Sequence, residues 1–178
     1  TFDVLPHFWI PEESLRARSK HDEQMFVLWV DQGYMTATHG NVIDYGYIRE
    51  WVRDQAESYQ IREIAYDRWN ATQIVHDLED DGATMVPFGQ GFASMSGPTK
   101  ELLNLVLSHK IRHGGNPVLR WMADNVVVQK DAAGNIKPDK EKSTEKIDGI
   151  VALIMALDRA IRNGGGFGRD LMAEEIIG

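Results

Sequence analysis

The sequence predicts an α/β fold in which a sheet is covered by helices on both faces. Three observations carry that prediction. Short, nearly continuous apolar runs such as "IREIAYDRW" and "ATMVPFG" read as strands. They alternate with stretches whose apolar residues recur every three or four positions, the helical period. No internal repeat or low-complexity linker divides the 178 residues, so 1–178 reads as one domain with 164–178 as a tail of little signal.

The elements follow in order. "DVLPHFWIP" is β-rich, and Pro6 and Pro11 suit an edge or a strand end. "SLRARSKHDEQMFVLWVDQGYM" opens on a stretch compatible with a short helix and then loses any clean period; "YMTATHG" reads as a strand. "IDYGYIREWVRDQAESY" spaces Ile48, Trp51, Val52, Ala56 and Tyr59 as an amphipathic helix, with Asp44 as its cap. "IREIAYDRW" is a strand of the type buried on both faces. "NATQIVHDLEDDG" is a helix with capping-box spacing between Asn70 and Gln73 and a stop at Gly82. After the strand "ATMVPFG", the helix "SGPTKELLNLVLSHKI" presents Leu102, Leu103, Val106 and Leu107 as its apolar face. "NPVLRWMADNV" adds a further turn or two of helix. "VVVQKDAAGNIKPDK" reads as a β-hairpin turning at "DAAGN". "STEKIDGIVALIMALDRAIRNGGG" is the longest helix, ended by glycines, with Ile147, Ile150, Val151, Ile154, Leu157 and Ile161 as its stripe.

Composition narrows the function classes. With 43% hydrophobic and 26% charged residues the chain can bury a sizeable core. The absence of cysteine excludes disulfides and thiolate zinc sites. No apolar run approaches the roughly 18 residues of a membrane span. "TFDVLPHFWIPEES" lacks a basic region followed by an apolar stretch, so a cytosolic protein is the expectation. The net charge of -8 argues against a bulk coat of nucleic acid, but the charge is uneven. Between His109 and Lys142 seven bases oppose four acids, leaving about +3 there and -11 elsewhere. Such a stripe on an acidic body can meet a polyanion at one place, or it can be a solvated surface.

Two aspartates stand out as chemistry. Asp67 ends an apolar strand, either as a turn residue or as a ligand to a hard cation. Asp148 opens the longest helix one position from its apolar stripe, which carries it toward the sheet, and Gly149 leaves room for close approach. Its plainer explanation is the preference of acids for helix N-termini. Carboxylates at a strand end and on a helix packed against that sheet can share magnesium or manganese. Two such ions, roughly 4 Å apart, activate water and stabilise a leaving oxygen in phosphodiester cleavage. Other motifs are weaker. "HKIRH" spaces His109 and His113 as a helical metal pair but has no adjacent glutamate. "FGQGFASMSG" has no lysine in Walker position and opens no clear helix after its strand. No serine or cysteine sits in a nucleophile elbow. The five tryptophans read as core or boundary residues rather than a base-stacking platform.

The segments "AYDRWNATQIVHDLEDDG", "HGGNPVLRWMADNVVV" and "KSTEKIDGIVALIMALDRA", in this order, resemble the C-terminal nuclease domain of tailed-phage terminase large subunits, over residues 1–163 or so. The resemblance implies a ribonuclease H-like mixed sheet flanked by helices. It implies an endonuclease that cuts concatemeric double-stranded DNA in the cytoplasm of a bacterial host, using two Mg2+ or Mn2+ ions. The implied partners are double-stranded DNA, the terminase ATPase domain, the small terminase subunit and the portal, with no membrane. By motif, Asp67 in "YDRW" and Asp148 in "KIDG" match catalytic, metal-holding acids. Near the hairpin, Lys130, Lys137, Lys140, Lys142 and Arg120 are the candidates for DNA phosphate contacts. The family's first acid lies in a Gly-x-Asp segment on a first strand, and neither that segment nor the Walker motifs has a match here. The chain therefore reads as a fragment beginning at the second strand. Two other readings stay open: another ribonuclease H-like nuclease such as a resolvase or transposase core, and a non-catalytic module that docks DNA or the portal.

Overall fold

Every strand of the protein is short, and helices do most of the joining. The computed structural model describes residues 1–17, 20–68 and 72–164. Strand β1 (Phe2–Asp3) pairs in parallel with β6 (Ile111–Arg112), β2 (Trp9–Pro11) with β3 (Thr36–Thr38), and β4 (Ile64–Asp67) with β5 (Met85–Phe88). Strands β7 (Val128–Lys130) and β8 (Ile136–Pro138) form the antiparallel hairpin that the sequence predicts. Among the described residues these are four separate two-stranded ladders, where the sequence predicts one mixed sheet. Strands of two to four residues carry few ladder bonds, so side-chain packing holds the pairs together.

Parallel neighbours need crossovers, and helices supply them. Helices α1 (Glu12–Arg16) and α2 (Lys20–Asp31) lead from β2 to β3, and α4 (Thr72–Asp80) leads from β4 to β5. Helix α3 (Tyr45–Ser58) lies between those units, and Asp44 caps it by accepting from the Gly46 N–H at 2.8 Å. Strand β5 passes through Gly89, Gln90 and Gly91 into α5 (Phe92–Leu107). Helix α6 (Pro117–Asn125) starts on an Asn116 cap bonded to the Leu119 N–H at 3.0 Å. The last helix, α7 (Asp148–Arg162), packs against α5, α6 and β4, while α4 packs on β5.

The core follows the helical stripes. Ile150, Val151, Ile154 and Met155 of α7 meet Met95 of α5, Val118, Leu119 and Met122 of α6, and Phe88 of β5. Phe26, Trp29 and Trp121 join α2 to α6 through ring contacts of 5.0–5.6 Å. His7, Trp9 and Trp51 join β2 to α3 in the same way. Gly149 is the tightest approach: a Cβ there would stand 2.7 Å from Phe8 and 2.8 Å from the Met122 sulfur. Only hydrogen fits, and the close approach expected at Gly149 is made by Phe8 and Met122.

Several expectations change. "MFVLWV" is helical, within α2. Helix α7 begins at Asp148 rather than at Ser143, and Ile161 is 42% exposed because the helix runs past the core. Strand β4 is half-buried along its length rather than buried on both faces, since among the described residues β5 is its one ladder partner. Helix α5 begins at Phe92, ahead of the predicted start, and accommodates Pro98 inside it. That start turns Met95, Ser96, Thr99 and Leu105 inward and leaves Leu103, Val106 and Leu107 exposed. His109 and His113 share no helix: α5 ends at Leu107, and His109 adopts a positive φ of 55°. The Gly82 stop holds, with φ at 92°; Asn70, Trp69 and the tail from 165 lie outside the described residues.

Candidate active site

The carboxyl ends of parallel strands are where ligands gather in α/β folds. Strand β4 ends on Asp67, level with Phe88 in the ladder. That register sets Gln90, two residues beyond Phe88, within reach. Its side-chain Nε2 donates to Asp67 Oδ2 at 2.9 Å. A carboxylate accepts and cannot donate, so the amide nitrogen must be the atom facing it.

The hairpin closes on the same place. Lys137 Nζ donates to the Gln90 carbonyl at 3.3 Å and stands 5.5 Å from the centre of the Phe92 ring. The Ile136 N–H donates to Ser96 Oγ at 3.2 Å, fixing β8 on α5. Asp131 closes the turn by accepting from both the Asn135 N–H and the Asn135 side chain at 2.8 Å. The side-chain bond from Asn135 holds the Asp131 carboxyl below its ordinary value.

Between hairpin, α5 and α7 lies a cleft of about 510 Å³, lined by Gln90, Lys137, Asp139, Lys140, Lys142 and Val151 among others. Asp148 flanks it through Lys140, whose Nζ is 3.2 Å from Asp148 Oδ1. Asp67 flanks it through Gln90. The sequence carries Asp148 toward the sheet; the structure instead leaves its side chain 62% exposed. The reason is its place as the first residue of α7: the buried stripe starts with Ile147 before it, and Asp148 turns outward to the lysine.

Of the five predicted phosphate contacts, Lys137, Lys140 and Lys142 line the cleft. Lys130 on β7 and Arg120 on α6 are exposed and do not line it. Gln90 and Asp139 line the cleft, and the sequence reading does not single them out. Gln90 carries no motif, and only the β4–β5 register makes it a partner of Asp67. Asp139 is buried and accepts from the Glu141 and Lys142 N–H groups at 3.1 and 3.2 Å, which shapes the loop presenting Lys140 and Lys142. "PDK" after a hairpin is the turn signal that could have found it.

The donor chemistry suits a hard divalent ion. Among the described residues no group of three or more histidines, aspartates and glutamates encloses a metal position. Magnesium, however, keeps several waters and is held by one or two carboxylates. Asp67 and Asp148 are oxygen donors facing a neutral amide and a half-exposed ammonium. Neither interaction has the two-point grip that an arginine fork gives Asp81 or Asp3.

Comparison with known proteins agrees with this architecture. The family model for the terminase large subunit, endonuclease domain, matches residues 4–163. The terminase large subunit of Enterobacteria phage HK97 is 38% identical over 89% of this chain and 32% of its own length. Protein YmfN of Escherichia coli K12 is 37% identical over 90% of this chain and 36% of its own. The crystal structure of the HK97 large terminase superimposes with a TM-score of 0.79 at 39% identity, covering 87% of this chain and 33% of that one. The large terminase nuclease of thermophilic phage G20c shares the fold at a TM-score of 0.52 and 15% identity, over 67% of this chain and 64% of that one. The chain thus spans about a third of the length of the curated relatives it matches. No helix among the described residues is long and apolar enough to cross a membrane. On the family match and the HK97 likeness together, this chain belongs to the endonuclease-domain family of terminase large subunits.

Proposed function

We propose that the chain is a divalent-metal-dependent DNA endonuclease domain that cuts concatemeric double-stranded DNA during phage genome packaging, in the cytoplasm of a bacterial host. Its partners in that setting are the terminase ATPase domain, the small subunit and the portal. The observation that supports this reading most is the shared cleft: Gln90, which bonds the strand-end acid, and Lys140, which pairs with the helix-start acid, line one groove together with Lys137 and Lys142.

Asp67 and Asp148 would hold the ions, Mg2+ or Mn2+. When bound, the ions lower the pKa of water and stabilise the departing oxygen of a phosphodiester. The lysines contribute backbone contacts, which fix register on the duplex without reading sequence. Lys140 has a second role open to it: a phosphate arriving at the cleft can take its ammonium from Asp148, freeing that carboxylate. An exposed ion pair is worth about 0–1 kcal/mol, so this exchange is cheap.

The test is cleavage of double-stranded DNA in manganese buffer by the chain and by Asp67→Asn and Asp148→Asn. The expected outcome is a loss of at least about 100-fold with the circular dichroism spectrum unchanged. Undiminished cutting by either variant removes that residue from the mechanism. A panel of branched and transposon-end DNA separates this reading from a resolvase or transposase core. An unaltered chain that binds DNA without cutting and without need of a divalent ion is a docking module instead.

A further inference from the structure

Gln90 serves neither the core nor a predicted motif, yet it joins three parts of the cleft. Its side chain bonds Asp67, its carbonyl accepts from Lys137, and its neighbour Gly91 caps α5. We infer that Gln90 is a positioning residue that fixes the Asp67 carboxylate for cation capture, and that Lys137 ties Gln90's loop to the β7–β8 hairpin. This rests on the metal-dependent reading above.

The choice of an amide is chemically apt. An aspartate that is to receive a cation needs its carboxylate lone pairs oriented toward it. An arginine fork orients and neutralises at once: Arg49 and Arg53 place four N–H donors on both oxygens of Asp81 at 2.6–3.0 Å. Gln90 is neutral and takes Oδ2 at 2.9 Å, so it orients the group without supplying a competing positive charge. The groups that orient a metal-binding carboxylate tune its affinity much as the ligand itself does.

The loop is held well enough to impart that orientation. Lys137 grips the Gln90 carbonyl at 3.3 Å while lying against Phe92. The hairpin carrying Lys137 is pinned to α5 through Ser96. A displacement of the hairpin therefore reaches Asp67 through one side chain, one carbonyl and one amide.

The experiment is calorimetric titration of Mn2+ into the chain and into Gln90→Met, Gln90→His, Lys137→Met and Asp67→Asn, with thermal midpoints recorded for each. Methionine keeps length without a donor; histidine restores a donor at a similar reach. Gln90→Met is expected to weaken Mn2+ binding about 10-fold with its thermal midpoint unchanged, Gln90→His to regain most of that loss, and Lys137→Met to lose about 3-fold. Where the chain cuts DNA, Gln90→Met lowers kcat and leaves KM for DNA in place. Unaltered Mn2+ affinity in Gln90→Met, beside its loss in Asp67→Asn, overturns the inference and leaves the proposed function standing. Weakened binding that tracks a fallen thermal midpoint and is not regained by histidine also overturns it. No Mn2+ binding by the unaltered chain, or equal binding by Asp67→Asn, overturns the metal-dependent reading itself.

Discussion

The scaffold and the cleft use carboxylates in opposite ways. On the scaffold, Asp81 after α4 is gripped by Arg49 and Arg53 of α3, and this joins the two helices. At the far end of α7, Asp158 accepts from Arg162 at 2.8 Å, and Arg159 donates to Glu63 at 2.6 Å. Guanidinium groups hold both position and charge, and at Asp81 they do so as planar forks. Arg49 first and Arg53 second hold the Asp81 carboxyl well below the usual carboxylate range. Arg159, by its side-chain hydrogen bond, lowers the Glu63 carboxyl below its ordinary value. At the cleft, Asp67 meets an amide and Asp148 meets a lysine that is 47% exposed. The difference teaches how to sort acids in a chain carrying 27 of them: the partner, more than the acid, marks which carboxylates are locked into structure by an arginine fork.

The sharpest way to break this contrast is to delete one acid of each kind. Asp158 is buried between arginines, so Asp158→Ala is expected to cost about 1.5–3 kcal/mol, the worth of a lost charged hydrogen bond. Asp148→Ala should stay within about 0.5 kcal/mol. Urea unfolding at neutral pH measures both, and equal losses would end the distinction.

A second test uses pH. Asp81 has a folded-state pKa depressed from 3.8, so its contribution is present above that value and fades as the pH falls through 3.8 toward the lower folded value. Asp81→Asn should lower the urea midpoint at pH 7, and its gap to the unaltered chain should close on acidification. A gap that stays constant across that window would show that the arginine pair adds no linkage.

The smallest effect concerns lysines. Lys140→Met should reduce the slope of log Kd for DNA against log salt by about 1, whereas Lys130→Met, outside the cleft, should leave it in place. A reversed order would move the DNA path from the cleft to the side of β7 that carries Lys130.

Much of the fold was legible because the signals are local. The Asp44 cap, the Asn116 start, the Gly82 stop and the "DAAGN" turn act within a few residues. The period of α7 could be read for the same reason. The start of α5 was not legible, because Pro98 imitates the first turn of a helix while tertiary packing of Met95 against α7 extends the helix back to Phe92.

By itself, then, the sequence determined where acids end a strand and open a helix, and which lysines cluster after residue 109. Only the tertiary structure decided what those acids face. Gln90 stands 23 residues from Asp67 and meets it because β4 and β5 pair in one register. Lys140 meets Asp148 because a buried Asp139 bends the intervening loop. Periodicity and turn chemistry act over a few residues, so they place groups along the chain; bringing groups together across it takes strand register and core packing, which no local pattern encodes.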